Sequence, residues 1–125
     1  MKFDAVEVTS TNIPKTIQFY SLLGFSFPEY TGQQHVDAVT EAGGVRFMID
    51  DATMMQGILG YAPKPGNHAS IAINCGTPDQ VDATVAAVKE AGFAIAKEPW
   101  DAFWGQRYAV VEDPDGYLVD LYASR

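Results

Sequence analysis

Aromatic and acidic side chains are concentrated in one short stretch of the chain, residues 98–105. It contains both tryptophans of the protein, Trp100 and Trp104, with a phenylalanine between them and acidic residues among them. Indole rings offer flat faces on which planar ligands stack and which attract cations. The stretch therefore predicts a stacking surface for a planar or cationic ligand, with Tyr30 as its counterpart in the first half. A structural role beside Gly105 is the favoured reading for Trp104, and ligand contact the favoured one for Trp100.

Two carboxylates, Glu7 and Asp120, lie in segments whose apolar residues alternate. Successive side chains of a strand point to opposite faces, so both carboxylates are predicted on the face that the apolar residues avoid. A carboxylate in a partly apolar hollow has a raised pKa and can act as a general base. Arg46 and Asp50 are predicted on the same kind of face, where Arg46 either pairs with Glu7 or contacts a ligand.

The sequence shows no arrangement typical of a covalent nucleophile. Cys75 ends a predicted strand and has no histidine near it in the sequence, so it is predicted to be a small buried residue. His35 lies at a predicted turn and is expected at a pocket rim or on the surface. The glycines fall at turns and helix ends, which argues against a phosphate-binding loop.

The elements that would position these residues occur twice along the chain. In the first half, a strand at residues 3–9 precedes a helix at about 13–23, with Asn12 as a candidate N-cap and Gly24 at the helix end. Three short strands are then predicted, at about residues 25–30, 36–40 and 45–50. This order is a βαβββ unit.

The same order recurs from residue 69. A strand at residues 70–74 leads to a capping-box start at Thr77. The apolar stripe of the following helix is Val81, Val85 and Val88. Strands are predicted at about residues 93–97, 108–112 and 117–122. A type I turn at residues 113–116 joins the last two strands.

A single domain, residues 1–125, is predicted, with repeats at 3–50 and 69–123 and a linker at 51–67. In a βαβββ unit the helix covers one sheet face and leaves the other bare. We therefore predict an α+β fold in which two modules form a cupped mixed sheet with helices on the outer face. A concave pocket is expected on the inner face.

Composition and charge exclude several classes of protein. The chain has 125 residues, of which 47% are hydrophobic, enough for the core of one domain. Its net charge of −8 disfavours nucleic acid and anionic membranes as partners. No apolar run approaches the about 20 residues of a membrane helix. With one cysteine and no visible signal peptide, a cytoplasmic protein is expected.

Three sequence motifs resemble those of one family. They are FYSLLGF at residues 19–25, WGQR at 104–107 and DPDGYLVDL at 113–121. Their order and spacing are similar to the FY-x-x-LGF and WG-x-R…DPDG-x-x-x-E/D-L patterns of the vicinal oxygen chelate superfamily. That group includes glyoxalase I, extradiol dioxygenases, fosfomycin-resistance enzymes and bleomycin-binding resistance proteins. The resemblance spans residues 3–122 and implies the glyoxalase/bleomycin resistance/dioxygenase-like fold and a homodimer.

The resemblance also implies where a metal would be held. In the metalloenzymes of the family, the ligands come from the first and last strands of each module. Those four places fall here at Ala5, Met48, Ser70 and Asp120. Alanine has no donor, thioether and hydroxyl are poor ligands for a hard divalent ion, and a catalytic site needs about three protein ligands. We therefore expect no metal and no other cofactor. A register shift of two would bring in His68 with Asp120 and Glu7, but Ala5 and Met48 at the two places of the first module would still offer no ligand.

Three functions stay open at this point. We expect first a metal-free protein that binds a small molecule, similar to the bleomycin-resistance branch and sequestering a cationic or aromatic compound such as an antibiotic. The second is a metal-dependent lyase, isomerase or dioxygenase of the glyoxalase type, and the third is a cofactor-free enzyme that uses Glu7 or Asp120 for catalysis. The residues expected to contact the ligand are Glu7, Tyr30, His35, Arg46, Met48, Ser70, Trp100, Trp104, Arg107, Asp120 and Tyr122.

Overall fold

The computed structural model describes residues 1–67 and 69–125, which form an α+β protein with three helices and two mixed sheets. The predicted fold class is thereby confirmed. The chain divides into two compact units, Met1–Lys64 and Pro65–Arg125, and the boundary falls inside the segment predicted as a linker. Within the described residues, no helix has the length and apolar character needed to cross a membrane.

The first unit contains a mixed three-stranded sheet in the order β1-β3-β2. Its strands are β1 (Ala5–Ser10), β2 (His35–Asp37) and β3 (Arg46–Asp51). The central strand β3 runs parallel to β1 and antiparallel to β2. Phe47 and Ile49 of β3 are buried on one face, which leaves Arg46 and Met48 on the other face.

Helix α1 (Ile13–Leu22) begins at the predicted cap, because the Asn12 side chain accepts a hydrogen bond from the backbone N–H of Lys15. Its Tyr20 is fully buried and packs against Phe47, with ring centroids 4.5 Å apart. Burying a large apolar side chain contributes roughly 1.5–3 kcal/mol. This packing fixes which face of the sheet is covered and which one stays open.

Residues 25–30, predicted as a strand, form none in the structure. The segment makes one backbone hydrogen bond to the residues that follow β2, in which the N–H of Val39 donates to the carbonyl of Ser26 at 2.8 Å. Pro28 has no N–H to donate to a ladder, and the nearby chain turns at residues 31–32. The first unit therefore has three strands where the sequence predicted four.

The predicted linker contains a helix that the sequence reading missed, α2 (Ala52–Leu59). The Asp51 carboxylate caps it by accepting hydrogen bonds from the N–H groups of Thr53 and Met54, and Gly60 ends it in a left-handed conformation with φ 84°. Both residues are typical of helix ends, so the signal was present in the sequence.

The second unit has the predicted βαβββ order, and its four strands form one sheet in the order β4-β7-β6-β5. The elements are β4 (Ile71–Asn74), α3 (Pro78–Glu90), β5 (Ile95–Ala102), β6 (Gln106–Glu112) and β7 (Leu118–Ser124). Helix α3 begins with the predicted capping box between Thr77 and Gln80. The predicted stripe of three valines on α3 is buried.

The alternation along β6 and β7 separates a covered face from an open one. Val111, Val119 and Leu121 are fully buried, and α3 lies against β5, β6 and β7. The side chains between them, including Tyr108 and Asp120, are only half-buried. The open face of this sheet is therefore where the polar and aromatic residues collect.

The stretch at residues 98–105 is not the long connection that the sequence suggested. Strand β5 continues to Ala102, and the turn to β6 closes with the N–H of Gly105 donating to the carbonyl of Ala102 at 3.0 Å. Register shifts between Ile95 and Trp100 interrupt the pairing of β5, which hides the strand pattern in the sequence. Trp100 therefore lies on a strand, opposite Tyr108.

The predicted turn at residues 113–116 is confirmed and sets the register of β6 and β7. The N–H of Gly116 donates to the carbonyl of Asp113 at 3.0 Å. The buried carboxylate of Asp113 accepts from the N–H groups of Asp115 and Tyr117. The resulting register places Tyr108 opposite Tyr122.

The capping box of α3 gives a direct test of what stabilises the second unit. Replacing Thr77 with alanine removes the oxygen that accepts from the N–H of Gln80 at 3.3 Å. We expect Thr77→Ala to lower the free energy of unfolding by about 1 kcal/mol, measured by urea denaturation. Thr77→Ser keeps the oxygen and should stay close to the parent protein. Equal destabilisation by both substitutions would show that the cap contributes nothing.

Candidate functional site

Asp120 lies at the centre of the open face of the second sheet. In the strand register it stands between Ala72 of β4 and Val110 of β6. Its Oδ2 atom accepts two hydrogen bonds, from Ser70 Oγ at 2.8 Å and from the hydroxyl of Tyr108 at 2.9 Å. Two donors on one oxygen hold the carboxylate in a fixed orientation. Among the residues that the structure describes, no hydrogen bond is made to its Oδ1 atom.

Four aromatic side chains beside Asp120 form a continuous surface, here called the aromatic wall: Trp100, Trp104, Tyr108 and Tyr122. Tyr108 is its centre, stacked on Tyr122 at 6.1 Å between ring centroids. Trp100 and Trp104 approach Tyr108 at 5.3 and 5.5 Å. Such contacts each contribute about 0.5–1.5 kcal/mol beyond burial and keep the rings in place.

The wall is accessible at its tryptophan end. Trp104 is 50% exposed, and Phe103 beside it is 97% exposed. The indole N–H of Trp104 donates to Gln106 Oε1 at 2.8 Å, which fixes the ring. The ammonium of Lys97 lies 4.9 Å from the ring centroid of Trp100. The wall thus already attracts a cation of the chain itself.

The tyrosine at the centre of the wall is a permanent hydrogen-bond donor at neutral pH. Burial, foremost, together with the hydrogen bond to Asp120 and the charge of that carboxylate, raises the pKa of Tyr108 to about 12. Its hydroxyl therefore keeps its proton and continues to donate to Asp120. The carboxylate stays oriented across the physiological pH range.

Arg107, a predicted ligand-binding residue, is not brought to the wall. It stands opposite the buried Ala123, and its Nε donates to Asp82 of α3 at 2.9 Å. A second nitrogen contacts Asp101 at 3.2 Å. These two carboxylates raise the pKa of Arg107, Asp82 foremost. In this structure Arg107 ties α3 to β5 and β6.

A second polar cluster lies on the open face of the first unit, centred on Asp50. This carboxylate is only 4% exposed, and its Oδ1 atom lies 2.5 Å from Nδ1 of His35. Nε2 of His35 lies 3.3 Å from Asp37 Oδ1. A hydrogen bond with Asp50, followed by burial, raises the pKa of Glu7. The sequence predicted the face of Asp50 but not its contacts, because alternation does not show which side chains meet.

The predicted pairing of Arg46 with Glu7 is wrong. Arg46 instead contacts Asp4 at 2.8 Å and Asp37 at 3.4 Å. The parallel register explains this difference, since it places Arg46 opposite Ala5 and leaves Glu7 opposite a methionine.

The remaining predicted residues are spread over the chain. Met48 lies on β3 opposite Glu7, and Tyr30 is half-buried in the segment before β2. Both belong to the first unit. The alternative ligand His68 lies outside the described residues. Cys75, predicted to be buried, is only partly so, and that burial raises the pKa of its thiol.

A family model described as the Glyoxalase/Bleomycin resistance protein/Dioxygenase superfamily matches residues 2–121. The chain belongs to this superfamily. The resemblance carried by the three motifs is confirmed. No curated protein matches the chain.

Solved structures similar to the chain support this superfamily fold. Hypothetical protein SA1046 from S. aureus is 24% identical, with a TM-score of 0.80 over 98% of this chain and 92% of that one. Protein ATC0852 from Agrobacterium tumefaciens is 25% identical, with a TM-score of 0.76 over 100% and 98% of the two chains. A glyoxalase-related enzyme from Fulvimarina pelagi is 17% identical, with a TM-score of 0.83 over 98% and 88%. Shared architecture at this level does not select one activity.

The residues at the superfamily's ligand places do not fit a metal ion. In the first unit those places hold Ala5, which has no donor atom, and Met48, whose thioether is a poor ligand for hard divalent ions. In the second unit the hydroxyl of Ser70 is already engaged as a donor to Asp120. Across residues 1–67 and 69–125, no group of three or more His, Cys, Asp or Glu side chains is arranged to hold a metal.

The contact between Tyr108 and Asp120 can be tested by titration. In the parent protein we expect Tyr108 to titrate at about pH 12, measured from the ¹³Cζ shift of its ring. Asp120→Asn removes the negative charge and should lower this pKa, though not fully to the ordinary value of about 10, because burial remains. A Tyr108 that titrates near its ordinary value in the parent protein would contradict the geometry of the wall.

Proposed function

We propose that the protein binds a small planar molecule carrying a positive charge on the aromatic wall, and that binding needs no metal. The observation that carries this proposal is the combination of exposed and half-buried rings with an oriented carboxylate. Trp100 and Tyr108 supply flat faces, and Asp120 offers its Oδ1 atom beside them. A planar cation satisfies both parts of this surface at once.

The relative free energies of the proposed ligand contacts indicate which substitution should weaken binding most. A hydrogen bond between charged groups contributes roughly 1.5–3 kcal/mol, whereas each aromatic contact contributes about 0.5–1.5 kcal/mol. The carboxylate is therefore expected to contribute more to affinity than any single ring. The net charge of −8 also favours the approach of a cationic ligand over that of an anionic one.

Sequestration is the form of this function that the chemistry favours. The wall offers stacking and charge, and among the described residues no group of three or more His, Cys, Asp or Glu side chains is arranged to hold a metal. A cationic aromatic antibiotic is a ligand of the proposed kind. A homodimer located in the cytoplasm belongs to the same proposal.

Tryptophan fluorescence provides the test, because both tryptophans of the chain belong to the wall. We expect a cationic glycopeptide or a mitomycin-like compound to quench the fluorescence and α-keto acids to leave it unchanged. Asp120→Asn should raise the Kd by about tenfold or more, since 1.4 kcal/mol corresponds to a factor of ten. Trp100→Leu should weaken binding by a smaller factor.

The matched control for the loss of charge is Glu90→Gln, which removes an exposed carboxylate at the end of α3 in the same unit. It should leave the Kd unchanged. Equal weakening by Glu90→Gln and Asp120→Asn would reduce the effect to overall charge and contradict a specific contact. Absence of quenching across the cationic compounds would overturn the proposal.

The metal-dependent alternative is tested by equilibrium dialysis against Zn²⁺, Ni²⁺, Mn²⁺ and Fe²⁺, followed by metal analysis. Since a catalytic site needs about three protein ligands and only Asp120 offers a suitable donor at the four places, we expect no stoichiometric retention. Retention of one ion per chain that Asp120→Asn abolishes would favour the metalloenzyme. It would also show that the assignment of ligand places is incorrect.

A further inference from the structure

His35 bridges two carboxylates on the open face of the first unit. Its Nδ1 atom lies 2.5 Å from Asp50 Oδ1, and its Nε2 atom lies 3.3 Å from Asp37 Oδ1. A neutral imidazole has one N–H group, so one ring nitrogen would point a lone pair at a carboxylate. Only the imidazolium presents an N–H to both. The two carboxylates beside the ring therefore favour the protonated form of His35.

The buried member of this bridge depends on that positive charge. Asp50 is 4% exposed, whereas the side chains of His35 and Asp37 are 45% and 47% exposed. A buried carboxylate is costly unless a partner compensates its charge. Its other neighbour, Glu7 of β1, is also acidic, and contact with Asp50, foremost, raises the pKa of Glu7.

The charged groups around this bridge alternate in sign. Asp37 contacts Arg46, Arg46 contacts Asp4, and Asp4 contacts Lys2. The ionisable groups that face His35 are therefore Asp50 from β3, Asp37 from β2 and Glu7 from β1. Arg46 and Lys2 are engaged with Asp37 and Asp4, and among the described residues His35 is the cation in contact with Asp50.

The bridge joins a short edge strand to the sheet. Strand β2 has three residues and pairs only with β3. Its flanking backbone contacts run from the N–H of Ala38 to Phe47 and from the N–H of Asp51 to the carbonyl of Gln34. Few backbone hydrogen bonds hold so short a strand, so a side-chain link to its first residue has a large share in keeping it paired.

We propose that a protonated His35, in contact with Asp50 and Asp37, holds the edge strand β2 against β3, and that β2 loosens when His35 loses this proton. The site lies in the first unit, and it does not depend on the ligand proposed for the aromatic wall.

The direction of the pH effect follows from His35. Contact with Asp50, foremost, raises the pKa of His35, so its stabilisation is complete below the ordinary value of 6.5 and is lost as pH rises through the raised value. The proton on His35 thus favours the paired strand, and the step falls above pH 6.5.

Amide hydrogen exchange followed by NMR tests the proposal from about pH 5 to about pH 9. After correction for the intrinsic rate, the protection of the amides of Ala38 and Asp51 should fall above neutral pH. Each unit by which the pKa of His35 is raised corresponds to a tenfold change in strand opening. His35→Gln keeps a hydrogen-bond donor without the charge and should give low protection that no longer changes with pH in this range.

Three further measurements keep the outcome decisive. The ¹⁵N shifts of His35 should show both ring nitrogens protonated below pH 6.5. Glu7→Gln leaves both contacts of His35 in place, so it should retain the step of His35. Glu41→Gln, which removes an exposed carboxylate elsewhere in the first unit, should behave like the parent. Protection in the parent that does not change with pH, or an unchanged step in His35→Gln, would overturn the proposal.

Discussion

The burial of one face of each sheet against a helix is the constraint on which the rest of the structure depends. In the second unit, Val111, Val119 and Leu121 are fully buried on the side where α3 lies. A slip of one residue in β7 would bring Asp120 to that side, where an unpaired charge is costly. The apolar contacts therefore hold the register that exposes Asp120 and Tyr108 together.

The open faces of the two units carry different side chains and therefore differ in their chemistry. The face of the second unit carries flat rings and one oriented carboxylate, which suits recognition of a planar cation. The face of the first unit carries a line of alternating charges in which Asp50 is buried and His35 compensates it. At the places where the resemblance implies metal ligands, Ala5 has no donor, Met48 offers only a thioether, and Ser70 is engaged with Asp120. Membership of the superfamily explains the scaffold, and the side chains on each face determine the chemistry.

Local patterns in the sequence predicted much of the fold correctly. Alternation placed Asp120 on the open face, the capping box at Thr77 located α3, and the turn beginning at Asp113 is confirmed. The failures have local causes. Helix α2 was missed although Asp51 and Gly60 are typical of its ends, because its segment was taken for a linker. Strand β5 was predicted to be shorter than it is, because register shifts near Trp100 break its alternation.

By itself, the sequence determined the order of helices and strands in the second unit, the family, and the faces on which Asp50 and Asp120 lie. These depend on local spacing, backbone propensity and motif order, all of which are written along the chain. Only the tertiary structure decided which side chains meet: Arg46 with Asp4 in place of Glu7, and His35 with Asp50. Such pairs join residues far apart in the chain, and their partners are set by strand order and register. Register is fixed by the packing of the whole unit, which no short segment of sequence contains.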